Sequence, residues 1–183
     1  MLNSMRAKIK ILFKKSTKMP IKSNITTTNN KPDHLYRKGV GIMMINQDQK
    51  IFVGKRIDNK SDAWQMPQGG LDHGESEDEA MFRELKEETG TNNVKILQMS
   101  KEYHYYNLPY KLQKKFWGGK YLGQKQQWYL TRFLGVDNQI NIDTNEPEFS
   151  SWKWMDKNEV IDHIVPFKRD LYVKLINEFI NHL

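Results

Sequence analysis

The chain has 183 residues, no cysteine and a formal net charge of +7. This length suffices for one ordinary domain but is short for two. The lack of cysteine excludes disulfides, a thiolate nucleophile and a thiolate zinc site, and it fits a cytoplasmic protein. No run approaches the roughly 18 apolar residues of a membrane span, so no membrane partner is expected.

Residues 1–33 differ from the rest in composition, being rich in Lys, Ser, Thr and Asn without a helical or strand period. We predict a basic, disordered or loosely helical tail there, and one folded domain over residues 34–183. A targeting presequence is an alternative, weakened because the tail's only arginine is Arg6. Met19 is an alternative start to Met1.

The excess positive charge is confined to this tail. Residues 1–31 contain eight Lys and Arg and no acid, and since the whole chain is +7, residues 32–183 carry −1. The alkaline pI is therefore no argument for nucleic-acid binding by the domain.

The domain begins with two apolar runs, residues 40–46 and 51–56, joined by a polar turn, which predicts a β-hairpin. We expect further strands at residues 94–106, 128–134 and 152–155. A mixed sheet between helical layers follows from this element order.

Two helices are predicted. The first begins at Ser76, whose capping box is completed by Glu79, and ends at Gly90, which supplies the left-handed stop. The second spans residues 167–182, with four apolar residues facing the core: Leu171, Leu175, Ile176 and Phe179.

Three glutamates of the first helix carry the chemistry. Glu84, Glu87 and Glu88 stand at i, i+3 and i+4 and so share one face, where their repulsion is unfavourable unless a cation lies among them. Oxygen ligands alone favour Mg²⁺ or Mn²⁺ and give no zinc site. The triplet by itself would be interpreted as an ordinary solvated acidic face.

The wider pattern excludes that interpretation. Seven identities stand at fixed spacing: Gly69, Glu75, Arg83, Glu84, Glu87, Glu88 and Gly90. Ordinary residue usage makes coincidence about 10⁻⁸ per starting position. This spacing resembles the Nudix box, except that Thr91 stands where the family usually has an aliphatic residue, which should affect helix-end packing more than catalysis.

The resemblance covers about residues 36–183. It implies an α/β fold, the Nudix α/β/α sandwich with a central mixed sheet, and metal-dependent hydrolysis of phosphoanhydride bonds. Further segments resemble the bacterial RNA 5′-pyrophosphohydrolases and the related dinucleoside polyphosphate hydrolases. These segments are residues 36–37, 64–70, 123–128, 147–149, 152–154 and 167–169.

The resemblance also implies roles for individual residues. Glu84, Glu87 and Glu88 would bind metal, and Glu148 would be a further ligand or the base that activates water; its alternative is a solvated loop carboxylate. Arg83 would anchor the box glutamates by charge-assisted hydrogen bonds. Substrate-binding roles fall on Arg37, Arg56, Gln124, Phe167 and Lys168, of which the three cations are alternatively ordinary surface charges.

One stretch favours a nucleic-acid partner. Residues 103–136 contain no acid, and their lysines alternate with aromatic residues. Such a pattern suits single-stranded RNA, with lysines on phosphates and rings on bases, although many of these rings must belong to the core instead.

Three functions compete. An RNA pyrophosphohydrolase that removes pyrophosphate from 5′-triphosphorylated RNA, leaves a 5′-monophosphate and initiates mRNA decay is favoured. A dinucleoside polyphosphate hydrolase acting on substrates such as diadenosine tetraphosphate is the alternative. A catalytically silent binding domain is disfavoured, because a binder has no need to keep mutually repelling ligands. Protein partners, oligomeric state and base preference are not readable from the sequence.

Overall fold

The computed structural model describes residues 32–58 and 63–183, which belong to the compact unit Pro32–Leu183. Apart from Pro32 and Asp33, the predicted tail and the alternative start at Met19 lie outside the described residues. In the described part of the chain, no helix is long and apolar enough to cross a membrane.

A mixed sheet of eight strands forms the centre of this unit. The strand order is β3-β2-β1-β7-β5, with β4 beside β1, β6 beside β7 and β8 beside β2. Among the described strands, only the β1–β7 pair is parallel, and the other pairs are antiparallel. The strands are β1 Tyr36–Ile45, β2 Ile51–Arg56, β3 Trp64–Gln65, β4 Gln68–Gly70, β5 Val94–Met99, β6 His104–Asn107, β7 Gly123–Phe133 and β8 Phe149–Met155.

Over residues 32–58 and 63–183, four helices cover the two faces of the sheet. They are α1 Glu77–Thr89, α2 Tyr110–Lys115, α3 Lys157–His163 and α4 Arg169–Glu178. Met81 and Leu85 of α1 pack on one face with Val40 and Ile42 of β1. The apolar side of α4 packs on the other face. The predicted sandwich, a mixed sheet between helical layers, is therefore confirmed.

Strand β1 explains why its sequence is a continuous apolar run rather than an alternating one. It lies in the middle of the sheet, so Val40, Ile42 and Met44 belong to the core under α1, whereas Met43 and Ile45 belong to the core under α4. A strand covered on both faces needs apolar residues at every position.

The local signals around α1 are also confirmed. Ser76 accepts a hydrogen bond from the backbone of Glu79, whose carboxylate binds back to Ser76, and Gly90 adopts the left-handed conformation at φ 72°. Thr91, the residue that departs from the family pattern, is buried, and its hydroxyl accepts a hydrogen bond from the backbone of Asn93. The predicted hairpin is present too, with Ile45 opposite Ile51.

Several boundaries differ from the sequence prediction. The expected strand over residues 94–106 is two strands, because Ser100, Lys101 and Glu102 leave the ladder. Strand β7 begins at Gly123 rather than at residue 128, since buried Gln124 and Gln126 bond to each other and so tolerate a core position. Helices α2 and α3 have six and seven residues, too few to display a helical period.

Candidate active site

Three glutamates on the second half of α1 differ sharply in burial. The side chain of Glu87 is 58% exposed and that of Glu84 is 13% exposed, while Glu88 is 2% exposed. The backbone N–H of Gln68 donates to one carboxylate oxygen of Glu88, 3.2 Å away. The other oxygen, Oε1, is buried and has no hydrogen-bond partner among the described residues. A buried carboxylate with an unmet acceptor fits a cation ligand.

The pKa shift of Glu88 agrees with a role as a cation ligand. Burial raises its pKa well above the usual range, and the charges of Glu148 and Glu84 raise it further. Burial raises the pKa of Glu84 too, opposed by its hydrogen bond from Arg83. A carboxylate that is costly to ionise alone gains most from a neighbouring positive ion.

The backbone before α1 lies directly on this acidic face. A Cβ added to Gly69 would stand 1.7 Å from Cδ of Glu84. No side chain larger than hydrogen fits there without moving that carboxylate. This close approach explains the first glycine of the box.

Arg83 joins the loop to the helix. Its guanidinium donates to both oxygens of Glu75 at 2.7 and 2.8 Å, to Glu84 at 2.9 Å and to Glu87 at 3.0 Å. It also donates to the carbonyl of Gly70 at 2.8 Å. Arg83 therefore contacts Glu75, Glu84 and Glu87, which agrees with the anchoring role expected from the resemblance.

The Glu75–Arg83 pair makes a testable contribution to stability. Hydrogen bonds from Arg83 lower the pKa of Glu75 to about 2. Because the folded-state pKa lies below the unfolded one, the stabilisation is complete above about pH 4.5 and is lost as the pH falls toward 2. We expect Glu75→Gln to lower the free energy of unfolding at pH 7 by only about 1 kcal/mol, because solvent screens the pair.

Urea denaturation at several pH values measures that difference. The gap between wild type and Glu75→Gln should narrow as the pH falls from 5 to 2, whereas Glu102→Gln, at an exposed position, should change little at any pH. A gap that stays constant with pH would show that the substitution acts through packing rather than charge.

A cleft of about 860 Å³ separates the second half of α1 from the loop before β8. All four predicted catalytic carboxylates line it: Glu84, Glu87, Glu88 and Glu148. Arg56 holds Glu148 in place by donating to its Oε2 at 2.6 Å, and Arg56 also binds Asp58. The loop thus brings a distant carboxylate to the helix.

As the described side chains stand, no group of three His, Asp or Glu residues is arranged closely enough to enclose an ion. Glu84 and Glu87 both accept hydrogen bonds from the same nitrogen of Arg83, Nη1. The donor set still fits a hard divalent cation, because it is all oxygen and includes the unpartnered Oε1 of Glu88.

Four of the five predicted substrate-binding residues lie around Tyr106. Buried Lys168 donates to Gln68 at 2.8 Å, stands 5.0 Å from the Tyr106 ring centre and has its pKa lowered to about 7 by burial and then by the charge of Arg56. The Phe167 ring lies 6.1 Å from that of Tyr106. Gln124 is buried, and it accepts a hydrogen bond from Gln126.

The fourth, Arg37, lies beside Gly70 and under the Trp117 ring. Sequence reasoning gave no individual role to Gln68, and it singled out Tyr106 and Trp117 only as two of the rings in residues 103–136 that could stack on bases. Gln68 stands in one of the segments that resemble the family, and this was the only signal for it. Nothing in the sequence could pair Trp117 with Arg37, 80 positions apart.

Comparison with known proteins agrees with the fold. The model of the NUDIX domain matches residues 35–175. The chain is 51% identical to the RNA pyrophosphohydrolase of Sphingopyxis alaskensis over 146 residues, which are 79% of this chain and 92% of that protein. It is 49% identical to the RNA pyrophosphohydrolase of Orientia tsutsugamushi over 155 residues, 85% of this chain and 94% of that protein.

Among solved structures, the dihydroneopterin triphosphate pyrophosphohydrolase of E. coli has a similar fold. The TM-score is 0.61 at 18% identity, covering 78% of this chain and 98% of that one. At this identity the likeness concerns the fold alone. The domain model covers the sheet, α1 and the cleft together, and the chain belongs to the Nudix family.

Proposed function

We propose that this chain is an RNA pyrophosphohydrolase, which hydrolyses a phosphoanhydride bond at the 5′-triphosphate end of RNA, releases pyrophosphate and leaves a 5′-monophosphate. The observation that carries the proposal is an identity of about 50% to two proteins of that name over more than 90% of their length. The cleft lined by four carboxylates supplies the chemistry such a reaction needs. A role in mRNA decay in the cytoplasm would follow from this activity.

A divalent cation, Mg²⁺ or Mn²⁺, fits the oxygen donors of Glu84, Glu87, Glu88 and Glu148. When bound, such ions neutralise the polyphosphate and lower the pKa of water. Nudix hydrolases generally use divalent metals, in keeping with the unpartnered oxygen of buried Glu88.

The protein's own groups divide the remaining tasks. Arg37, Arg56 and Lys168 are the basic side chains that would bind the phosphates. Glu148 is 42% exposed and held by Arg56, so it stands where a carboxylate can accept a proton from water at the cleft. Arg83 keeps Glu75, Glu84 and Glu87 in place.

Parallel assays with two substrates test the proposal. Purified protein with Mg²⁺ is incubated with triphosphorylated RNA and with diadenosine tetraphosphate, and kcat/KM is compared. We expect the higher value on RNA. A higher value on the dinucleotide would favour the alternative function, and turnover of neither would favour the silent binding domain.

The preference for RNA should depend on the lysines of α2. Lys111, Lys114 and Lys115 are all exposed. The Nζ of Lys114 is 4.9 Å from the Tyr110 ring centre and that of Lys115 is 5.8 Å from the Phe116 ring centre. Tyr110 is itself 69% exposed, so this surface offers both positive charge to phosphates and a ring to bases.

Neutralising all three lysines to Ala should weaken RNA hydrolysis severalfold and flatten its salt dependence by up to about two in the log–log slope, since up to three counterions fewer are released. Hydrolysis of diadenosine tetraphosphate should change much less. The matched control neutralises exposed Lys95, Lys101 and Lys174, which lie outside α2. Equal losses on both substrates would mean that the α2 lysines serve the fold or the phosphate site.

A further inference from the structure

Arg37 differs from the other cations near the site because its N–H groups donate to none of the described residues. Within residues 32–58 and 63–183, Arg56 is ion-paired with Glu148 and Asp58, and Lys168 donates to Gln65 and Gln68. Over the same residues, Arg37 makes no hydrogen bond and no ion pair, although it is partly buried. A guanidinium kept in place without an anionic partner is available to a ligand.

Two contacts hold the Arg37 guanidinium. Its Cζ lies 5.5 Å from the centre of the Trp117 ring. It also lies against the backbone of Gly70, where an added Cβ would stand 2.0 Å from Nη2. An aromatic ring attracts the face of a guanidinium and leaves the N–H edge, which is the edge that binds phosphate, free to donate.

Trp117 occupies a backbone conformation that few residues with a side chain adopt. Its φ is 51°, and Gly118 and Gly119 follow with φ of 63° and 78°. Left-handed backbone at a bulky residue is strained and persists only where surrounding contacts determine it. The flanking glycines relieve the same cost at the next two positions.

Contacts around Trp117 supply that support. Its ring centre lies 5.9 Å from those of Phe116 and Tyr121, and it packs against the core under α4. The loop that carries it is closed at its base, because the backbone N–H of Leu108 donates to Leu122, whose own N–H donates to Leu35. The ring therefore has a defined place beside the first strand.

We propose that Trp117 is a positioning residue, which holds the Arg37 guanidinium by its face and thereby presents its N–H edge to the phosphate chain of the substrate. This inference rests on the proposed function only in taking a polyphosphate as ligand. Trp117 itself need not touch substrate. Trp117 would thereby connect the segment that follows α2 to Arg37, a residue proposed to bind phosphate.

A double-mutant cycle tests this, using Trp117→Leu, Arg37→Ala and their combination in the full chain with Mg²⁺. Trp117→Leu should raise KM for triphosphorylated RNA about tenfold and should change kcat by less than about twofold. Trp117→Phe, which keeps an aromatic face, should recover most of the loss. In the Arg37→Ala background, Trp117→Leu should change KM less than twofold, because the group it positions is gone.

Calorimetric titration with inorganic tripolyphosphate gives a readout independent of turnover, and the same pattern of affinities is expected. If wild type hydrolyses diadenosine tetraphosphate better than RNA, the proposed function fails while the cycle is still measured on that substrate. If Trp117→Leu does not fold, as judged by its thermal midpoint, Trp117→Met fills the space in its place. Unchanged KM and affinity, or a full loss that persists in the Arg37→Ala background, would overturn the role of Trp117.

Discussion

Glu88→Gln is expected to lower kcat at least about 100-fold, the scale on which one strong electrostatic contribution is lost. Gln keeps the size of Glu and its helix propensity, and its carbonyl can still accept the hydrogen bond from the Gln68 backbone. What disappears is the charge at Oε1, the buried oxygen without a described partner. Steady-state kinetics in Mg²⁺ measures the loss.

The same variant should be more stable than wild type when metal is removed. Burial raises the pKa of Glu88 well above its usual range, so the folded state binds a proton more tightly than the unfolded one. Stability from this group is therefore full below the unfolded pKa of about 4.3 and falls as the pH rises above it. At neutral pH with a chelator, Glu88→Gln should raise the thermal midpoint by a few degrees, and the rise should shrink at pH 4.

Glu102→Gln is the matched control, since it makes the same change at an exposed position; both kcat and midpoint should stay near those of wild type. A Glu88→Gln enzyme with near-normal turnover would contradict the assignment of Glu88 as a metal ligand. A variant that loses both activity and stability would show that the carboxylate is needed for packing instead.

Helix α1 was predictable because its information is local. The capping box, the left-handed Gly90 and the spacing of Met81 and Leu85 lie within one short segment, and each acts on the backbone or on one helix face. The three glutamates then had to share the remaining face. The central strand β1 was equally accessible, because burial on both sides leaves an apolar run in the sequence.

The surroundings of the site were less predictable because they depend on contacts between distant residues. Glu148 could be assigned only by resemblance; its pairing with Arg56, 92 positions away, comes from the register of β2 against β8. The start of β7 was not predicted because it contains glutamines, which are usually exposed. The sequence does not show that Gln124 and Gln126 are buried and hydrogen-bonded to each other. The contact between Arg37 and the Trp117 ring can be found only in the tertiary structure, because the two residues are 80 positions apart.

Gly69→Ala should be nearly as damaging to catalysis as loss of a ligand, although it changes no charge. The new methyl group would stand 1.7 Å from Cδ and 1.9 Å from Oε1 of Glu84, so the carboxylate or the loop must move. Because a misplacement of about 1 Å can cost 100-fold in rate, we expect kcat to fall by about that factor, with a lower thermal midpoint.

The collision itself can be isolated from other effects of the substitution. Gly74→Ala makes the same change in the same loop at a position where an added Cβ meets nothing within 4 Å, so it carries only the backbone cost of φ 84° and should keep most activity. Glu84→Ala removes the group that the Gly69 methyl would strike. In the Glu84→Ala background, Gly69→Ala should therefore lower the thermal midpoint only slightly. If the midpoint instead falls as far as it does with Glu84 present, then the loop backbone, and not the carboxylate, requires the glycine.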